Sequence, residues 1–223
     1  MTNAAVGCAL VVLALVGGCA PAPAAPSAER VDVLDYVVGS AGWWPRLGNQ
    51  LQHQGVDYDR QEVCWAKHGN PRFFECWRWD DAFFYHVVDH GVDGDTGESY
   101  RFVDGRWMPR MIPLDTEWRL DIDTRIVWFD AACGVNAARS GSFRYHQRVW
   151  REAARDAGGD IGVRDTLVLE YTPEDPAGGP PAPELFYFAR GAGWYEWRRG
   201  ANRVVFNRLG GPFVAIARSI VCR

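Results

Sequence analysis

His86, Asp89, His90, Asp93, Asp95 and Glu98 are spaced H-x-x-D-H-x-x-D-x-D-x-x-E. This density of imidazoles and carboxylates suits two kinds of metal chemistry. Asp93-Gly94-Asp95-Thr96-Gly97-Glu98 has the oxygen density of a calcium loop, and its glycines permit sharp bends, although the full EF-hand series is absent. The histidines with their neighbouring aspartates suit a His/Asp transition-metal site. A polar hairpin loop with Asp-Gly turn chemistry explains the same letters without an ion. Asp93, Asp95 and Glu98 are the candidate calcium ligands, and no other cofactor is expected.

Aromatic and acidic residues offer further chemistry. The chain carries 11 Trp, 8 Tyr and 11 Phe, with Trp43, Trp44, Trp77, Trp79, Trp107, Trp194 and Trp197 prominent. Strand alternation puts Trp77 and Trp79 on one face, where they can stack on sugar rings, line a cleft for an apolar ligand, or form core. Trp43 and Trp44, beside glycines, are expected to be exposed. Glu75, Asp80 and Asp81 flank the Trp77/Trp79 face, and Glu170 and Glu196 fall on predicted strands. A glycoside hydrolase needs two carboxyl groups about 5–9.5 Å apart across the scissile bond. Nucleophilic hydrolase signals are absent: there is no G-x-S-x-G, and no phosphate-binding glycine motif opens a helix.

The elements that must position these groups are strands. Residues 61–65, 73–79, 83–88, 100–103, 106–108, 118–120, 125–129, 166–171, 185–190, 194–198, 203–206 and 213–216 are aromatic or β-branched runs of strand length. Asp104-Gly105 predicts a two-residue hairpin with Phe102 opposite Trp107. Gly191-Ala192-Gly193 predicts a three-residue hairpin turn, its glycines supplying positive φ. A helix is expected over 28–38, capped by Ser27 and stopped by Gly39. Residues 143–157 fit both periods, and a strand is expected as far as Trp150. Residues 173–183, rich in Pro, Gly and acid, form a surface loop. The expected fold is mainly β: a single antiparallel β domain, barrel or sandwich, with one or two short helices.

Composition bounds the partners. Net charge is −4, and 24 basic residues, of which only Lys67 is lysine, are scattered among acidic ones. This is a solvated mixed-charge surface, with no patch for nucleic acid.

An uncharged apolar run over residues 4–16 is too short to span a bilayer, which takes about 20 residues, and fits the core of a signal peptide. It ends in Leu15-Val16-Gly17-Gly18-Cys19, which resembles the bacterial lipobox. That resemblance implies that residues 1–18 are removed, the Cys19 thiol is diacylglycerylated, and the new amino terminus is acylated, a palmitate-type modification. Two acyl chains anchor durably where one is marginal. Residues 19–27 then form a Pro/Ala tether and residues 28–223 the domain. Ala20, rather than Asp, resembles the outer-membrane-sorted class in a cell with two membranes. The expected location is therefore the bacterial cell envelope, with the domain outside the cytoplasm and the membrane as partner through the anchor.

Cys8 leaves with the signal, so Cys64, Cys76, Cys133 and Cys222 are left to form two disulfides, with three connectivities open. A hairpin centred on Asn70 opposes residues whose numbers sum to 140, which sets Cys64 beside Cys76 at disulfide distance. Cys133 with Cys222 follows by elimination. No C-x-x-C spacing supports zinc.

Asp165-Thr166-Leu167-Val168-Leu169-Glu170-Tyr171, followed by Tyr187-Phe188-Ala189-Arg190-Gly191-Ala192-Gly193, resembles the C-terminal hairpins of exported bacterial β-sheet lipoproteins. It is also loosely similar to the lipoprotein carrier fold, an open barrel over a helix. The expected function is a non-enzymatic ligand-binding or envelope-maintenance module that holds a glycan or an apolar molecule on an aromatic face. The alternative is a carbohydrate-active hydrolase with a carboxylate pair near Trp77 and Trp79.

Overall fold

The computed structural model describes residues 29–38, 46–47, 50–51, 53–57, 59–66, 74–90, 97–113, 115–174, 182–206 and 222. The expectations for Cys19, Trp43, Trp44, Asp93, Asp95 and the 213–216 strand lie outside the described residues.

The first half of the described chain comprises β1 (Arg30–Asp32), α1 (Leu34–Val37), β2 (Arg46–Leu47), β3 (Gln50–Leu51), β4 (His53–Asp57), β5 (Glu62–Ala66), β6 (Phe74–Trp79) and β7 (Phe83–His90). The second half comprises β8 (Ser99–Phe102), β9 (Arg106–Pro109), β10 (Met111–Pro113), β11 (Trp118–Phe129), β12 (Gly141–Asp156), β13 (Val163–Pro173), β14 (Glu184–Ala189), β15 (Gly193–Arg199) and β16 (Asn202–Val205). Twelve strands form one antiparallel sheet in the order β16-β15-β14-β13-β12-β11-β8-β7-β6-β5-β4, with β9 also paired to β7. The sheet curls into a half-barrel. Five strands separate β6 from β14, about 29 Å on a flat sheet. Yet the rings of Trp77 on β6 and Phe188 on β14 lie 5.4 Å apart, so the curl folds one half over the other. The main core, with Trp65, Trp77, Phe84, Val149, Leu167 and Phe188, fills the space between them.

Several sequence expectations change in the sheet. The helix expected over 28–38 is one turn, because Arg30–Asp32 pairs with β10 and sets Val31 opposite Ile112. Asp32 accepts the Leu34 N–H, and Ser27, the expected cap, lies outside the described residues. Tyr36 and Val37 of α1 pack into the main core.

The two strands expected over 118–120 and 125–129 are one, β11. Asp121 and Asp123, poor strand formers by type, sit on its exposed face opposite His146 and Arg144 of β12, which they bind. β12 runs beyond Trp150 to Asp156, with an irregularity between Glu152 and Arg155.

Asp104-Gly105 is no hairpin turn. Neither residue has positive φ, and β8 and β9 both run along β7. The two residues form a bulge between them, and Phe102 faces Ile126 rather than Trp107. Gly is needed there for close approach: a Cβ on Gly105 would lie 2.2 Å from the His86 carbonyl oxygen. The late hairpin closes with Ala189 opposite Gly193, and Gly191 and Gly193 have positive φ. Disulfides join Cys64 to Cys76, directly opposed on β5 and β6, and Cys133 to Cys222.

Candidate functional site

The β6–β7 ladder builds the site through a change of register. Glu75 opposes Asp89 and Cys76 opposes Val88, but Trp77 opposes His86, so β7 carries one extra residue. In a regular strand, residues three apart point to opposite faces. The bulge cancels that alternation. His86 and Asp89 therefore share the inner face with Glu75 and Trp77, while Val88 joins Cys64, Phe74 and Cys76 in a cluster on the other side. His90 leaves the constellation as well, stacking on Phe74 with ring centroids 5.1 Å apart.

Glu75, His86 and Asp89 are all buried, at 4%, 3% and 7% exposure, and one donor atom from each lies within 4.8 Å of the others. His86 Nε2 is 3.2 Å from Glu75 Oε1. Trp77 Nε1–H donates to that same oxygen at 2.8 Å, and the Tyr100 hydroxyl donates to Asp89 Oδ2 at 3.3 Å. These donors fix the carboxylates.

The cluster forms part of the wall of a cavity of about 320 Å³. Tyr100, Trp107, Tyr171, Phe186, Trp194, Trp197 and Phe206 supply its aromatic surface, and Glu184 and Arg199 its polar rim. Trp107 stacks between Trp77 and Tyr171, at 4.5 and 5.6 Å, and its edge meets His86 at 4.4 Å. Its buried Nε1–H has no hydrogen-bond acceptor among the described residues. Glu184 accepts the Trp197 Nε1–H at 2.9 Å and lies 3.5 Å from Arg199. Burial, then the charge of Asp89, pushes the Tyr100 phenol well above its usual value, with Glu75 and Glu184 adding to the effect. Burial, then Glu184, does the same to Tyr171. Both phenols thus stay protonated: the Tyr100 proton is committed to Asp89, and Tyr171 presents a neutral hydroxyl.

The other candidates have structural roles. Trp77 and Trp79 are 1% and 4% exposed, so of the three readings open to them in the sequence, stacking row, cleft lining and core, they are core: the curl covers the face that strand alternation alone leaves undecided. Asp80 organises the β6–β7 turn by accepting the Ala82 and Phe83 N–H groups and the Tyr85 hydroxyl, and Asp81 beside it is exposed. Glu170 pairs with Arg148 at 2.7 Å. Glu196 is held by Arg198 and Arg203. Glu98 binds Arg139 at 2.9 Å, so its carboxylate already serves a cation. Glu62, Cys64 and Cys76 also lie close together, but both sulfurs are consumed by the disulfide.

Sequence reasoning placed His86 and Asp89 in one constellation and Glu75 in another and did not join the two, since no local signal announces the bulge. It missed Tyr100, Tyr171 and Glu184 as pocket residues: β8 reaches the site by pairing with β7, and only the curl brings β13 and β14 over β6 and β7. Compared with known proteins, the chain matches no family model, no curated protein and no solved structure.

Proposed function

We propose that this protein is a lipid-anchored lipoprotein of the bacterial envelope that binds a small glycan in the pocket of the half-barrel. The observation that carries the reading is the composition of one cavity wall: aromatic rings beside buried carboxylates and the Trp107 N–H. Rings stack on the apolar faces of sugars, carboxylates accept sugar hydroxyls, and the indole N–H donates to a sugar oxygen. A volume near 320 Å³ falls in the range of small-ligand sites. A hydrolase needs two carboxyl groups flanking the bond it cuts. Glu75 and Asp89 instead converge with His86 on one point, which favours binding over hydrolysis. The anchor rests on Leu15-Val16-Gly17-Gly18-Cys19, and an oxidising compartment is consistent with two disulfides. In a cell with two membranes the outer membrane is the expected site.

The test uses the full-length gene product purified from membranes in detergent. Intact mass is expected to show a diacylglyceryl adduct on Cys19. Titration with mono- and disaccharides is expected to change tryptophan emission saturably, and Trp107→Phe, which keeps a ring but removes the N–H, to weaken binding severalfold. An unmodified Cys19 sinks the anchor. Silence to every saccharide alongside a response to fatty acids replaces the glycan with an apolar ligand.

A further inference from the structure

We infer that Glu75, His86 and Asp89 form a divalent transition-metal site of the zinc type, with an open coordination position facing the pocket. The site shares the cavity with the glycan reading but does not depend on it.

The donors are one imidazole and two carboxylates. Mixed nitrogen and oxygen ligands suit zinc and its neighbours, whereas calcium takes six to eight oxygens. Metal–ligand bonds of about 2.0–2.2 Å place neighbouring ligand atoms about 2.9–3.5 Å apart. His86 Nε2 and Glu75 Oε1 already lie at such a separation, 3.2 Å. The widest spacing in the trio is no more than 4.8 Å, so only a small side-chain adjustment separates it from that span.

Charge balance supports the same ion. With His86 neutral, as a metal ligand must be, the two positive charges of a divalent cation match the two carboxylates. The surroundings resemble the outer shell such sites carry, in which ligating carboxylates are themselves hydrogen-bonded. Trp77 Nε1–H orients Glu75 and the Tyr100 hydroxyl orients Asp89.

Three protein ligands leave a position open, whereas structural zinc sites close with four. All three ligands are part of the pocket lining, so that position is accessible to a pocket ligand. The bulge in β7 is what assembles the trio: without it, His86 and Asp89 fall on opposite faces.

The experiment titrates zinc into the full chain in detergent, stripped beforehand with a chelator, in competition with a chromophoric chelator and with no saccharide present. One zinc per chain at micromolar affinity or tighter is expected, and cobalt(II) is expected to give a visible absorption band. His86→Gln is expected to abolish both signals. Trp77→Phe, which removes only the donor to Glu75, is expected to weaken zinc about tenfold. His146→Gln, on the exposed face of β12, is expected to change neither signal. A parent chain that takes up no zinc overturns the site, as do Trp77→Phe and His86→Gln variants that keep the parent's circular dichroism and affinity. Glycan binding that persists in the stripped protein leaves the preceding reading intact, so the two fail separately.

Discussion

At the scale of single residues, Glu196 shows how a buried charge is tolerated in the sheet. It is 1% exposed, yet Arg203 Nε lies 2.8 Å from its carboxylate, Arg198 binds the same oxygen, and Arg155 stands 3.9 Å away. Burial pushes its pKa up, but hydrogen bonds from Arg203 and Arg198 outweigh this, and the net shift is below the ordinary 4.5. A lowered carboxylate value stabilises the fold above the unfolded value and loses that contribution as pH falls through the folded one. Glu196→Gln is expected to cost about 3 kcal/mol at neutral pH, near the low end for breaking a buried pair, because Arg203 is 55% exposed and regains water. Urea unfolding from pH 7 to 3 checks this. The parent should lose stability below pH 4.5 more steeply than the variant, and parallel profiles would refute the assignment.

At the scale of elements, β7 organises the site. It borders β6 on one side and β8 and β9 in succession on the other, and its extra residue turns His86 and Asp89 to one face. Gly105 lets β9 approach closely enough for the His86 N–H to donate to its carbonyl at 2.7 Å. Gly105→Ala would place a Cβ against the His86 carbonyl oxygen. Backbone has to move, and the expected cost is about 2 kcal/mol, with a weaker pocket because His86 moves too. Equal urea midpoints for Gly105→Ala and the parent would show that the approach is not tight. The strand content of β6, β7, β14 and β15 was legible in their aromatic and β-branched runs. So was the Cys64–Cys76 register, since a regular antiparallel hairpin is simple arithmetic. The Asp104-Gly105 signal misled because the same dipeptide serves a turn and a close backbone approach. The choice between them depends on whether β7 lies alongside.

At the scale of the whole molecule, curl and cross-links act together. The curl brings β14 over β6 and makes the cavity, while Cys133–Cys222 ties the β11–β12 connection to a residue 89 positions later. In the chain-entropy model this cross-link stabilises by about 4–5 kcal/mol, against about 3 kcal/mol for Cys64–Cys76, which spans 12 positions. Replacing Cys133 and Cys222 by Ala is therefore expected to cost about 1–2 kcal/mol more than replacing Cys64 and Cys76. Denaturant midpoints of the two double variants decide it, and the reverse order would count against the model.

What the sequence determined by itself is what depends on neighbours along the chain: strand segments, the Gly191–Gly193 turn, and the opposition of Cys64 and Cys76. Backbone conformation and short-range register are local properties, so residue types carry them. Which face of a strand is buried, and which acid meets which imidazole, was decided only by the tertiary structure. Trp77 became core because β14 folds over it, and Trp79 packs with Phe84 in the same core. Glu75, His86 and Asp89 became one cluster because a single added residue in β7 reversed the side-chain alternation. Both outcomes depend on contacts between strands far apart in the chain or on ladder register, which period-2 patterning cannot carry.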